Sequence, residues 1–123
     1  MKIVKFRVHV TDSLITQFAN SIDAPLRTQG GVLTAPPTMP VIFWKIDDAP
    51  WIDTERTWIH GSQRFEYQAP IVSGMTLDCE LILTKVETKR GRQGELTLYT
   101  HTLVCSCSGS LIVTAETVLI SGG

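Results

Sequence analysis

The chain has 123 residues, 43% of them apolar, with 11 Lys+Arg against 12 Asp+Glu. That length fits one domain, residues 1–123, able to bury roughly two-thirds of its unfolded surface, and the near-neutral charge excludes any general pull toward nucleic acid or anionic membranes. Three cysteines, an odd number, speak against a disulfide framework, and the apolar run Pro40–Trp44 is far short of the ~20 residues that span a bilayer.

The N-terminus alternates, with Val4, Phe6, Val8 and Val10 on one face, which predicts a half-buried strand. Mixed charge there is the wrong pattern for a signal peptide, so a cytoplasmic protein is expected. Thr11-Asp12-Ser13 offers an N-cap, and Leu14, Ile15, Phe18 and Ala19 follow at helical spacing. This helix should end near Asn20-Ser21, before the breakers Pro25 and Gly30-Gly31. Ala35-Pro36-Pro37-Thr38-Met39-Pro40 is the sharpest punctuation in the chain. It predicts a second helix over Thr38–Ile46, N-capped by Thr38, with Pro40 in its first turn. Val41, Ile42, Phe43, Trp44 and Ile46 make that helix apolar on most sides, so it should be buried.

Asp47–Thr57 reads as a loop, and the rest as strands. Arg64–Ile71 alternates, as does Thr76–Thr88, where Leu77, Cys79, Leu81 and Leu83 share a face. Lys89–Gly94 turns into Glu95–Ser106, and Cys107–Ser110 turns into Leu111–Ile120. Consecutive antiparallel hairpins follow. Helix and strand are segregated along the chain, which is the signature of an α+β fold: about five antiparallel strands curved around one buried helix.

Two stretches carry a more specific resemblance. Val32–Pro40 looks like the approach to the central helix in the N-terminal halves of MaoC-like dehydratases. Trp58-Ile59-His60-Gly61-Ser62-Gln63-Arg64-Phe65-Glu66-Tyr67, continuing through Pro70–Leu77, resembles their segment "His-Gly-x-Gln-x-Phe-x-Tyr … Pro-Leu-x-x-Gly-Asp-x-Leu". In that order and spacing, over roughly Val10 to Ile120, the chain resembles the MaoC-like dehydratase/hydratase family, of the FAS1-like dehydratase type, with a hot-dog fold. Such a resemblance implies hydration of enoyl thioesters or dehydration of 3-hydroxyacyl thioesters, carried on CoA or acyl carrier protein. The sequence has no nucleotide fingerprint, P-loop or metal signature, so no cofactor is expected. The resemblance also implies pairing with another hot-dog chain, as a homodimer or a heterodimer.

That chemistry needs a base to position water, an acid to protonate the α-carbon, and donors for the thioester oxygen. The family supplies the pair in an Asp-x-Asn-Pro-x-His motif, and carbonyl donors from backbone amides at the start of the central helix. The matching segment here is Ser21-Ile22-Asp23-Ala24-Pro25-Leu26-Arg27-Thr28. Asp23 matches the Asp, and Arg27 falls where the His belongs once one residue is taken as missing. Arginine cannot be deprotonated in a protein and cannot act as that base. The resemblance thus assigns Asp23 and His60 as the catalytic candidates. Arg27 and the backbone at Thr38 and Met39 would bind substrate. It suggests a pocket-forming subunit of a two-subunit enzyme. The alternatives are a homodimeric acyl-CoA thioesterase and a non-catalytic acyl-thioester binding or scaffolding protein.

His60 can equally hydrogen-bond structurally, and His9 and His101 read as strand residues. His101, Cys105 and Cys107 share one parity, but a strand spreads them over ~20 Å, too far for a single metal ion. The cysteines read as small core residues. Lys85, Lys89, Arg90 and Arg92 cluster at one hairpin, where they would meet phosphates or simply solvent. Trp44, Trp51 and Trp58 surround the loop after the predicted central helix, placed either to line a tunnel or to pack.

Overall fold

The computed structural model describes residues 2–92 and 94–122; within the turn expected at Lys89–Gly94, Gln93 lies outside the described residues. In chain order the elements are β1 (Ile3–His9), α1 (Asp12–Ser21), β2 (Arg27–Gln29), β3 (Val32–Thr34), β4 (Trp58–Tyr67), β5 (Thr76–Gly91), β6 (Gly94–Cys107) and β7 (Ser110–Gly122). Five strands form one antiparallel sheet in the order β1-β5-β6-β7-β4. β2 and β3 make a separate ribbon. Gly30 and Gly31 turn that ribbon at φ 60° and 84°, a left-handed backbone that glycine adopts without a Cβ penalty.

Register lays the alternating apolar residues into rows across one face. Phe6 opposes Cys79, Cys79 opposes Cys105, Cys105 opposes Val113, and Val113 opposes Tyr67. The next row runs Val4, Leu81, Leu103, Ala115 and Phe65. Leu81 and Leu103 are fully buried there, each contributing about 1.5–3 kcal/mol from apolar burial. The opposite face alternates polar, with Asp78, Glu80, Arg64 and Glu116, and exposed pairs such as Arg7–Asp78 at 2.8 Å add little.

Helix α1 forms where expected. Thr11 Oγ1 accepts the Leu14 N–H at 3.0 Å, a cap worth about 1 kcal/mol. Ile15, Phe18 and Ala19 bury its inner stripe in the common core. None of the described helices is long and apolar enough to cross a membrane.

The second helix does not form as expected. Thr38–Ile46 is instead two short 3-10 turns, Met39–Ile42 and Ile46–Asp48. Thr38 makes no side-chain cap bond, and Lys45 between the turns is extended at φ −125°, ψ 165°. The physical reason is the short reach between prolines: Pro36, Pro37 and Pro40 remove donors at the entry, and Pro50 closes the exit. β-branched Val41, Ile42 and Ile46 add nothing to helix propensity within that span. All-round burial fails too. Met39, Pro40 and Phe43 are buried, whereas Val41 and Ile42 are 37% and 44% exposed. Among the described residues, the one α-helix beside the five-stranded sheet is therefore α1.

Candidate functional site

Two hollows receive the polar residues singled out by the sequence. The first is a groove of about 460 Å³ walled by Ile22, Ala24, Pro25, Arg27 and the run 34–38. Arg27 opens β2 opposite Thr34 and is exposed. Thr34 Oγ1 is buried in the wall with no partner among the described residues, an uncommon state for a buried hydroxyl. Tyr67 fixes the groove's proline run from below, donating from its hydroxyl to the Pro37 carbonyl at 2.6 Å. Burial pushes the Tyr67 phenol above its ordinary range, with Cys105 adding to the effect.

Asp23 lies between the wall residues Ile22 and Ala24 without itself entering the wall. Its φ of 55° is the left-handed residue that stops α1: Asp23 N–H donates to the Asn20 carbonyl at 3.2 Å and Ala24 N–H to the Ala19 carbonyl at 2.8 Å. Thr38 is exposed in the wall and its carbonyl accepts from Val41 N–H at 3.1 Å. Met39 turns inward, fully buried, and its amide is spent on the Pro36 carbonyl at 3.0 Å. The groove thus brings Arg27 and Thr38 together, with Asp23 beside them.

His60 lines a different hollow, a cavity of about 250 Å³ with Trp44, Trp58, Gln63, Thr117 and Leu119. Its presence there depends on a β-bulge. His60 and Gln63 are an odd number of residues apart, so a regular strand would aim them at opposite faces. The register shift between His60 and Ser62 inserts one residue, pairing His60 with Leu119 and Gln63 with Thr117. Both then share the inner face. Gly61 occupies the bulge because a Cβ there would lie 2.7 Å from Ile120 Cδ1 and 3.2 Å from the Val118 carbonyl oxygen. Gln63 Oε1 accepts from Thr117 Oγ1 at 2.7 Å, leaving its Nε2 buried and without a partner among the described residues.

Behind this cavity the tryptophans converge on His101. Trp51 Nε1 donates to His101 Nε2 at 2.9 Å, and the Trp44 ring centroid lies 5.1 Å from the imidazole. Because Nε2 accepts, the neutral ring carries its proton on Nδ1, which is buried with no side-chain partner among the described residues. Burial lowers the His101 pKa, against the pull of the Tyr99 and Thr117 backbone. Trp58 packs edge-on against Tyr99 at 5.0 Å. Sequence reasoning places Gln63 within the His-Gly-x-Gln motif but gives it no role, and it does not single out Thr117. The basic hairpin is partly self-paired, Lys85 with Glu87 at 3.2 Å and Arg90 with Glu95 at 3.4 Å.

Residues 1–115 match the family model described as "FAS1-like, dehydratase domain region". The chain belongs to this dehydratase-region family. A UPF0336 protein of Thermobifida fusca (strain YX) is 30% identical over 96 residues, which is 72% of this FAS1-like chain. The chain spans 60% of that relative's length. Among solved structures, the HadBC (3R-hydroxyacyl-ACP dehydratase) complex of Mycobacterium tuberculosis superposes with a TM-score of 0.78 at 19% identity, covering 96% of this chain and 93% of that one. The ChsH1-ChsH2 complex of the same organism gives 0.71 at 15% identity, over 99% and 85%. These likenesses establish the hot-dog architecture.

Proposed function

We propose that this chain is the pocket-forming subunit of a two-subunit acyl-thioester dehydratase or enoyl hydratase. Its substrates would be acyl groups on coenzyme A or acyl carrier protein, and a second hot-dog chain would supply the acid–base pair. The observation that carries this reading is the composition of the groove: among the described residues of its wall, Arg27 is the one ionisable side chain. None of the three imidazoles lines it. His9 bonds Thr76 on the β1–β5 pair, His60 lines the other cavity, and His101 is buried under tryptophan.

A wall of that kind can hold a ligand without moving its protons. The guanidinium fork suits a phosphate or a polarised carbonyl oxygen. Proline and alanine side chains give an apolar bed for the acyl chain. Thr38 remains the candidate donor to the thioester oxygen, since the Met39 amide already has a partner. Asp23, exposed at the groove's edge, is the remaining candidate for orienting water. General acid–base catalysis contributes roughly 10²–10⁴-fold, so a chain without the imidazole should turn over poorly alone. Both named complexes, HadBC and ChsH1-ChsH2, pair two components, which supports a second hot-dog chain as partner.

The experiment follows loss of enoyl absorbance when the purified chain meets crotonyl-CoA, beside the Asp23→Ala and His60→Ala variants. Negligible turnover by all three is expected. Brisk turnover by the unmodified chain, abolished in either variant, would show a self-sufficient active site and end the pocket-subunit reading. Release of free thiol without hydration would point to a thioesterase instead.

A further inference from the structure

We propose that the tryptophan-walled cavity around His60 is a second ligand site, for an aliphatic carboxylate of about eight carbons. The inference stands apart from the acyl-thioester reading of the Arg27 groove, and either can fail without the other.

The cavity is built rather than incidental. Its placement of His60 requires the Gly61 bulge, which breaks the β4–β7 ladder and tolerates no Cβ without displacing Ile120. Bulges commonly re-aim a side chain beside a functional site. Without this one His60 would face the outer surface, and the cavity would lose its imidazole. Apolar surface stands open here without a partner: Val41 is 37% exposed, and Trp44 and Trp58 are half-exposed along the same hollow.

Lys45, His60, Gln63 and Thr117 are its polar lining residues, and no carboxylate lines it among the described residues. Lys45 is exposed and makes no ion pair among those residues; the nearby Asp48 carboxylate is engaged by the Lys45 backbone N–H at 2.8 Å. Gln63 contributes no rim donor: its oxygen accepts from Thr117 and its Nε2 is buried. Donors at the rim and apolar walls within select an anion with a hydrocarbon tail, the arrangement expected of a small-molecule site. A volume of about 250 Å³ holds roughly eight groups of ~30 Å³, the share of one water or methylene.

Intrinsic fluorescence reads the site directly, since two of its walls are tryptophans. Titrating the full chain with sodium octanoate at pH 7 should give a saturable change, with octan-1-ol binding at least about tenfold more weakly. Lys45→Met and His60→Gln are both exposed positions and should each weaken octanoate by about two- to fivefold, with an unchanged circular-dichroism spectrum. Should either variant lose its native spectrum, sodium chloride competition on the unmodified chain takes its place, and salt must weaken octanoate while sparing octanol. No saturable change up to 10 mM octanoate overturns the proposal. So does equal binding of the alcohol, or octanoate affinity indifferent to both substitutions and to salt.

Discussion

Replacing Gly61 with alanine tests whether the bulge in β4 is held in place by close contact. The new Cβ would lie 2.7 Å from Ile120 Cδ1, 3.0 Å from its Cγ1, and 3.2 Å from the Val118 carbonyl oxygen. All three are inside the ~3.5–4.0 Å optimum for non-bonded approach. Overpacking typically costs about 1–3 kcal/mol, while removing glycine's excess freedom in a strand returns about 0.5–1 kcal/mol. Ile120 is half-buried and its tip can swing aside, whereas the Val118 oxygen is backbone. The net expected destabilisation is about 1 kcal/mol, or a fall in Tm of about 3–5 °C for a chain of this size. In an Ile120→Ala background the two closest contacts vanish, so the alanine at position 61 should cost close to nothing. Urea unfolding of the four proteins of the cycle measures this coupling. An equal cost in both backgrounds would refute the contact argument and leave a purely backbone requirement for glycine.

Stability should fall as pH drops below about 6.5, the ordinary histidine value, because burial lowers the folded pKa of His101 and the unfolded chain takes up the proton more readily. A His101→Gln variant should show a shallower fall between pH 7 and 5, and an equal slope would remove His101 from the account. Trp51→Phe should destabilise by about 1–2 kcal/mol, since it leaves His101 Nε2 buried without its donor; chemical denaturation reads this, and a neutral result would contradict the hydrogen bond. Among the thiols, half-buried Cys107 should alkylate first. Cys105 should resist until the sheet opens, its thiol pushed up by its hydrogen bond to Cys79 and by burial. Mass spectrometry of timed iodoacetamide reactions checks the order, and early labelling of Cys105 would count against the packed β5–β6 rows.

Much of the fold was legible because alternation is a direct consequence of strand geometry. Leu77, Cys79 and Leu81 read as one face and are buried as one face; Thr11 reads as a cap and caps α1. The start of β4 was hidden for a specific reason. Expected from Arg64, it begins at Trp58, because the bulge at Gly61 switches parity and erases the alternation across residues 58–63. The same bulge concealed the pairing of His60 with Gln63 in one cavity. The run Val41–Ile46 misled in the other direction: its apolarity signals contact with the core, but not the hydrogen-bonding pattern, and its flanking prolines shortened the helix to 3-10 turns. The short β2–β3 ribbon left no periodic trace, since three residues per strand are too few to show one. It matters because it carries Arg27 and Thr34 to the groove. Which candidates meet there is a tertiary fact: the family resemblance placed Asp23, Arg27, Thr38, Met39 and His60 in one set, and folding puts Arg27 and Thr38 in the groove wall and His60 in the other hollow.

Reconstitution tests the central claim most directly. The chain is mixed or co-expressed with a hot-dog partner that carries an intact Asp-x-Asn-Pro-x-His segment, and crotonyl-CoA hydration is followed by loss of enoyl absorbance. Turnover by the complex well above the sum of the separate chains is expected, and lost when the partner's His is replaced. Full activity of this chain alone, or a complex no faster than its parts, would contradict the account.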